Sequence, residues 1–263
     1  MPYRLDISNA PEDAFDRLVE RGALDVAVAD GRLAAIMPDG VTLEAVTTAL
    51  PGADVRARPA QARDDGSVWT LTPGRVRVRR WQLVPADSPP GTDTLRMVDG
   101  PAFGTGLHPT TTLCLEAIDD EVTAWQPAAM LDVGTGSGIL ALAALHVGVR
   151  RVVAIDVDAD AIRIADENAR LNGLRARLHL VHGGPEAIGG SWPLVVANVL
   201  TAPLVEMAPA LARCLARGGR IVLSGVRASL AADVEQAYRH VGMRPVRVET
   251  REDWAALTFR ASW

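Results

Sequence analysis

Leu131-Asp132-Val133-Gly134-Thr135-Gly136-Ser137-Gly138 decides how the rest of the chain is read. The apolar run 128–133 leads into three alternating glycines, and 139–145 continues as an apolar segment of helical length. The pattern is strand, tight turn, helix. Glycine allows the sharp turn and a close approach of backbone to ligand, while the amides opening the next helix favour a negative group. Val152-Val153-Ala154-Ile155 reads as the following strand, and Asp156 ends it. Asp156 stands 22 residues beyond Gly134, near the spacing at which a carboxylate accepts the hydroxyls of a bound ribose.

A dinucleotide fingerprint has its third glycine where Ile139 stands. Gly-x-Gly-x-Gly suits S-adenosylmethionine instead, a nucleoside with a carboxylate and an amine but no pyrophosphate. An ordinary strand-to-helix turn needs no acid at the next strand end, so Asp156 favours the ligand reading. Beyond it, residues 159–171 read as a helix, 177–181 as a strand and 194–197 as a strand. A helix over 203–216 stops at Gly218-Gly219, and 220–224 is the next strand. A helix over 230–241 then precedes a hairpin of 245–249 with 255–260. Alternating strands and helices predict a mostly parallel, doubly wound sheet with ligands at the strand carboxyl ends. Gly134, Asp156 and Asn198 each follow such an end, and Gly183-Gly184 can face an adenine edge.

The chain's 263 residues, 48% of them hydrophobic, suffice for one large α/β domain and a small companion. No apolar run approaches the ~18 residues that span a bilayer. The opening Met1-Pro2-Tyr3-Arg4-Leu5-Asp6 lacks a signal peptide's apolar stretch. A cytoplasmic protein without a membrane partner is expected, and a monomer. Cys114 and Cys214 lie in helical apolar patterns and read as buried thiols of a reducing compartment. His146, His179, His182 and His240 lack metal-ligand spacing, so no metal is expected. A net charge of −5 argues against holding nucleic acid over a broad face. There is no lysine, so all 27 basic residues are arginine.

Residues 1–61 read as βαββαβ, the ferredoxin-like plan. Helices over 11–22 and 42–50 turn Phe15, Leu18, Val19 and Leu43, Val46, Leu50 inward, and Asp30-Gly31 marks a hairpin. With no cluster of His, Cys or paired acids, this is a recognition module. Residues 62–98 read as a connecting segment. Within it Arg75-Val76-Arg77-Val78-Arg79-Arg80-Trp81 predicts one strand with a solvated arginine face, or else a dock for an acidic or phosphate-bearing partner. Pro85 to Gly91 is a turn-rich spacer. Glu116, Asp119, Asp120 and Glu121 read as a solvated acidic helix end.

Between spacer and glycine loop runs Ala102-Phe103-Gly104-Thr105-Gly106-Leu107-His108-Pro109-Thr110-Thr111, a glycine loop entering a Pro- and Thr-rich helix start. Hydroxyls and free amides there can receive a carboxylate. This segment resembles the signature of the PrmA family, bacterial enzymes that methylate ribosomal protein L11. The likeness continues through Leu131 to Gly138, Ala154 to Asp158, Glu167-Asn168-Ala169, Leu171-Asn172-Gly173 and Val196 to Leu204. It ends with Leu223-Ser224-Gly225-Val226 and Glu252-Asp253-Trp254.

The resemblance implies a class I methyltransferase with a Rossmann-like doubly wound sheet over 99–263 and a small N-terminal ferredoxin-like substrate domain. It implies S-adenosyl-L-methionine held by Phe103, Gly104, Thr105, Thr111, Gly134, Gly136, Asp156 and Asn198. The expected reaction is N-methylation of lysine side chains or the N-terminal α-amine of a large-subunit ribosomal protein. Asn198 is the candidate catalytic residue, its carbonyl aiming the amine lone pair, or else a cap for the following loop. Alternatives are a small-molecule or nucleic-acid base methyltransferase, or a non-catalytic binding scaffold. A base enzyme usually ends this strand with Asn-Pro-Pro-Tyr, where Asn198-Val199-Leu200-Thr201 has no aromatic ring to stack on a flipped base.

Overall fold

The computed structural model describes residues 2–11, 13–29, 32–60, 76–98, 108–184, 187 and 189–263. The chain divides into two compact units, Met1–Arg75 and Val76–Trp263.

The first unit runs β1 (Tyr3–Ser8), α1 (Ala14–Glu20), β2 (Asp25–Ala29), β3 (Arg32–Met37), α2 (Leu43–Ala49), β4 (Asp54–Pro59). Its sheet has the order β2-β3-β1-β4, antiparallel throughout. This is the βαββαβ order read from the sequence. Leu5 and Ile7 alternate inward along β1 to meet Ala14 and Leu18 of α1 and Val46 of α2. The Thr42 hydroxyl caps α2 by accepting the Ala45 amide at 3.2 Å. Two inward residues are corrected: Phe15 and Leu43 are 43% and 41% exposed. Each sits in the first turn of a seven-residue helix. So short a helix offers the sheet one i, i+4 pair, here Ala14 and Leu18. The Asp30-Gly31 turn lies outside the described residues.

The second unit opens with β5 (Val76–Val78), β6 (Trp81–Pro85) and β7 (Thr94–Met97). The single strand expected over 75–81 is a hairpin: Val78 pairs directly with Trp81, and Arg79, at φ 52°, turns the chain. Trp81, Leu83, Leu95 and Met97 are buried in the same core as the larger sheet. Residues 76–98 therefore belong to the larger compact unit and share its core.

The rest follows as α3 (Pro109–Trp125), β8 (Ala129–Val133), α4 (Ile139–His146), β9 (Arg151–Asp156), α5 (Ala159–Leu171), β10 (Leu178–His182), β11 (Trp192–Asn198), α6 (Thr201–Arg213), β12 (Leu215–Arg227), α7 (Ala231–His240), β13 (Met243–Arg251) and β14 (Trp254–Ala261). The strand order is β10-β9-β8-β11-β12-β14-β13. The first five strands are parallel, and β14 runs antiparallel to both neighbours. One apolar core packs α3 and α4 on the sheet, and a second packs α6 and α7 on the other face. Every residue from Ile139 to Leu145 is buried, which explains why α4 carries no polar stripe. The chain leaves β8 toward β9 on one side and meets β11 on the other, so the order reverses at β8 and a crevice opens there.

Two local readings are revised. α6 ends at Arg213, and β12 already begins at Leu215, which pairs with Trp192 ahead of Gly218 and Gly219. The glycines bend a strand rather than stop a helix. The acids of α3 are paired, not merely solvated. Arg80 reaches Asp119 at 2.7 Å, Arg247 reaches Asp120 at 2.8 Å, and Arg251 reaches Glu116 at 2.9 Å. One Arg220 nitrogen lies 2.9 Å from both oxygens of Glu121. Arg79 and Arg80 thus serve α3 within their own unit.

Candidate active site

The carboxyl edge of the sheet at β8 is tied together by main-chain bonds before any side chain acts. The amides of Gly134 and Thr135 both donate to the Ile155 carbonyl at 3.0 Å. The Gly136 amide donates to Asp156 Oδ2 at 2.8 Å, and Asp156 Oδ1 accepts the Asp158 amide at 3.0 Å. The carboxylate therefore holds the glycine loop against the end of β9 while each oxygen keeps further acceptor capacity. Beside it Val157 is 75% exposed, an apolar surface next to an acid that can take sugar hydroxyls. Gly183 donates its amide to the Asp156 carbonyl, which sets the turn after β10 at the same edge.

Gly134 is required by space as well as by its φ of 71°. A Cβ there would stand 2.5 Å from Val199 Cγ1. Across the strand end, a Cβ on Gly225 would stand 2.2 Å from the Val199 carbonyl oxygen. Val199 is thus clamped between two glycines, and Asn198 is aimed from the end of β11. Asn198 Oδ1 is buried and has no hydrogen-bond partner among the described residues. Leu200, two residues on, is 69% exposed.

Helix α3 brings the third group. Pro109 occupies its first turn and His108 caps it, with Nδ1 2.8 Å from the Thr110 hydroxyl. Thr111 is fully buried, and its hydroxyl likewise has no partner among the described residues. His108 packs edge-on against Trp254 at 4.8 Å, and the Arg227 guanidinium lies 4.3 Å above the same indole. Burial, and then the Arg227 charge, push the His108 imidazole below its usual range. Thr111, Gly134, Gly136, Asp156 and Asn198 are therefore brought to one edge. Phe103, Gly104 and Thr105 lie outside the described residues.

Three positions carry roles that their residue types alone did not show. Asp132 is fully buried beneath the loop and accepts the Thr135 hydroxyl at 2.7 Å. Burial raises its carboxyl to about 7; the Thr135 hydroxyl opposes the rise and the Asp156 charge adds to it. Asn168 accepts the Val98 amide at 2.7 Å and donates to the Ser137 carbonyl at 2.8 Å. Asn172 exchanges two hydrogen bonds with the Arg96 main chain, at 2.9 and 2.7 Å. The two asparagines are four residues apart, one on α5 and one capping its end, a spacing that puts them on the same side.

Strand order, the glycine turn at the reversal point and the acid ending the next strand define a class I, Rossmann-like methyltransferase fold. A family model described as ribosomal protein L11 methyltransferase (PrmA) matches residues 73–262. A relative of that name from Geobacter sulfurreducens is 42% identical over 187 residues, 71% of this chain. The match spans 61% of that relative's length. One from Myxococcus xanthus is 35% identical over 276 residues, covering 94% of this chain and 93% of the relative. The crystal structure of a ribosomal protein L11 methylase from Lactobacillus delbrueckii subsp. bulgaricus superposes with a TM-score of 0.64 at 32% identity, over 70% of this chain and 96% of that one. The chain belongs to the ribosomal protein L11 methyltransferase (PrmA) family.

Proposed function

We propose that this protein transfers a methyl group from S-adenosyl-L-methionine to amine nitrogens of the large-subunit ribosomal protein named by its relatives, in the cytoplasm and as a monomer. The observation that carries the reading is a pair of buried polar atoms, Thr111 Oγ1 and Asn198 Oδ1, without hydrogen-bond partners among the described residues, at the edge where Asp156 and the glycine loop meet. Leaving such atoms unpaired is costly unless a ligand completes them. The residues suit that cofactor: a hydroxyl for its carboxylate, an acid for its ribose and the exposed Val157 for its base.

When bound, the cofactor supplies an electrophilic sulfonium methyl. The chain's part is to bind, orient and select the proton state of the nucleophile. Asp156 accepts the ribose hydroxyls while still holding Gly136. The Thr111 hydroxyl donates to the amino-acid carboxylate. The family resemblance of their sequence adds Phe103, Gly104 and Thr105 to the cofactor-binding residues. Asn198 Oδ1 accepts an N–H of the incoming amine and directs the lone pair, so that positioning supplies most of the rate. A lysine of pKa ~10.4 is only about 0.1% neutral near pH 7.4, whereas an α-amine near 7.7–8.0 is substantially so. A neutral carboxamide does not add charge that would keep the amine protonated. The unit Met1–Arg75 recognises the protein substrate.

The test is transfer of labelled methyl into a ribosomal protein mixture. Label should enter one large-subunit protein, on lysine or the terminal amine. Label in RNA, or none with cofactor bound, would overturn the reading.

A further inference from the structure

At the opposite, amino-terminal edge of the sheet lies a recess of about 400 Å³, lined by Trp125, Gly218, Arg220, Arg244, Arg260 and Trp263 among others. Its floor is unusual in charge. Arg220 of β12 is the direct cross-strand partner of Arg260 of β14, and Arg260 is the partner of Arg244 of β13. Register partners project to the same face, so three guanidiniums form a row across three neighbouring strands. Like charges placed directly opposite are unfavourable in a sheet.

Only Arg220 has a counter-charge among the described residues, the buried Glu121 at 2.9 Å. No described ion pair or hydrogen bond engages the side chains of Arg244 or Arg260, and both are exposed. The end of α3 contributes about half a negative charge. With the terminal carboxylate of Trp263, whose main-chain oxygen accepts the Gly218 amide at 3.0 Å, three positive charges face roughly two and a half negative ones, and the recess stays weakly cationic on the side of Arg244 and Arg260.

Two indoles flank the row. Trp125, 39% exposed, lies 5.9 Å from the Arg220 guanidinium. Trp263, 41% exposed, rests on Gly242, where a Cβ would stand 3.2 Å from its ring. Guanidinium forks match phosphate oxygens, and exposed indoles offer faces on which a base stacks. The volume lies within the range of small-ligand pockets. Arg220 is four residues from Ser224, the partner of Asn198, so the recess is about 13 Å along the strand from the candidate active site.

We propose that this recess is a second binding site, for a phosphate carried beside a planar base, with Arg244 and Arg260 on the phosphate and Trp125 and Trp263 on the base. Such a group comes from a free nucleotide or from a single strand of RNA. A net charge of −5 speaks against a broad nucleic-acid face, not against one local site.

The experiment titrates the full chain with uridine 5′-monophosphate, hexauridylate and inorganic phosphate, by calorimetry at low salt. A pyrimidine probe avoids competing for an adenosyl site. Uridine monophosphate should bind at least tenfold more tightly than phosphate. The paired change Arg244→Gln with Arg260→Gln should weaken it at least tenfold, without lowering the melting temperature or changing methyl transfer. If RNA is the source, hexauridylate binds more tightly still, and its log K–log salt slope flattens by about 1.4 in the variant, at 0.7 per lost contact. If a free nucleotide is the source, the two probes bind alike. No binding of either nucleotide probe, equal affinity in the variant, or phosphate as tight as the nucleotide would overturn the site.

Discussion

The Asn168 side chain donates to the Ser137 carbonyl at 2.8 Å, joining α5 to the glycine loop across 31 residues of sequence. Its oxygen meanwhile accepts the Val98 amide at 2.7 Å, at the end of the segment that precedes residues 99–107. One carboxamide thus sets the distance between the glycine loop and the entry to the signature segment.

Asn168→Ala should therefore lower stability by roughly 2–4 kcal/mol, because it strands two main-chain groups. Asn168→Asp is the finer probe. It keeps the acceptor for Val98 but replaces the donor to Ser137 with a repelling oxygen, so cofactor affinity should fall as well. Thermal melts with and without S-adenosylhomocysteine check both. A variant that melts and binds normally would show that the bridge is incidental.

Asp156→Ala removes the ribose acceptor and releases the Gly136 amide together. Cofactor affinity should fall by about 1.5–3 kcal/mol, the usual worth of a hydrogen bond to a charged group. Titration calorimetry with S-adenosylhomocysteine reads it directly, and an unchanged affinity takes Asp156 out of the site.

Thr111→Val exchanges a buried hydroxyl, without a partner among the described residues, for a methyl of similar size. The fold loses no bond and sheds a desolvation cost on the order of 1 kcal/mol, so the melting temperature should hold or rise. The cofactor KM should increase. A falling melting temperature with a normal KM would assign Thr111 to structure alone.

Asn198→Ala should lower kcat by about 10²–10³, and kcat/KM with it, as expected for a group that acts mainly in the transition state. Asn198→Asp keeps an acceptor but adds charge that holds the amine protonated, moving the optimum for kcat to higher pH. An Asp variant with normal rate and an unmoved profile would place the orienting group elsewhere.

Asp132 predicts a pH dependence of stability. Its folded value of about 7 lies above the ~3.9 of an unfolded aspartate, so the fold prefers the protonated acid. That contribution is complete below about pH 4 and is lost as pH rises through 7. Asn cannot ionise. The melting temperature of Asp132→Asn, measured against the parent protein, should therefore improve from pH 5 to about pH 7 and then level off toward pH 8. A difference that is flat across that range would mean the buried carboxyl does not titrate there.

Local pattern was enough to place the central machinery. Three glycines after an apolar run, Asp156 at the next strand end and alternating strands and helices follow from backbone sterics and periodicity, and these are written in adjacent residues. The same local rules located βαββαβ in the first unit. They failed where the deciding neighbour was distant. Arg79 and Arg80 make a turn rather than a strand because Val78 pairs with Trp81, and the acids of α3 hold them there. Phe15 and Leu43 remain outside because their helices are too short to bring a first-turn residue onto the sheet. The bridging role of Asn168 and the clamp of two glycines on Val199 depend on contacts between residues tens of positions apart, and the raised acid at Asp132 on the burial that the packed sheet imposes. The row of Arg220, Arg260 and Arg244 exists only through strand register. Hydrophobic period and turn chemistry are properties of a short window of chain, whereas hydrogen-bond partners, desolvation and cross-strand charge are set by which windows the sheet lays side by side.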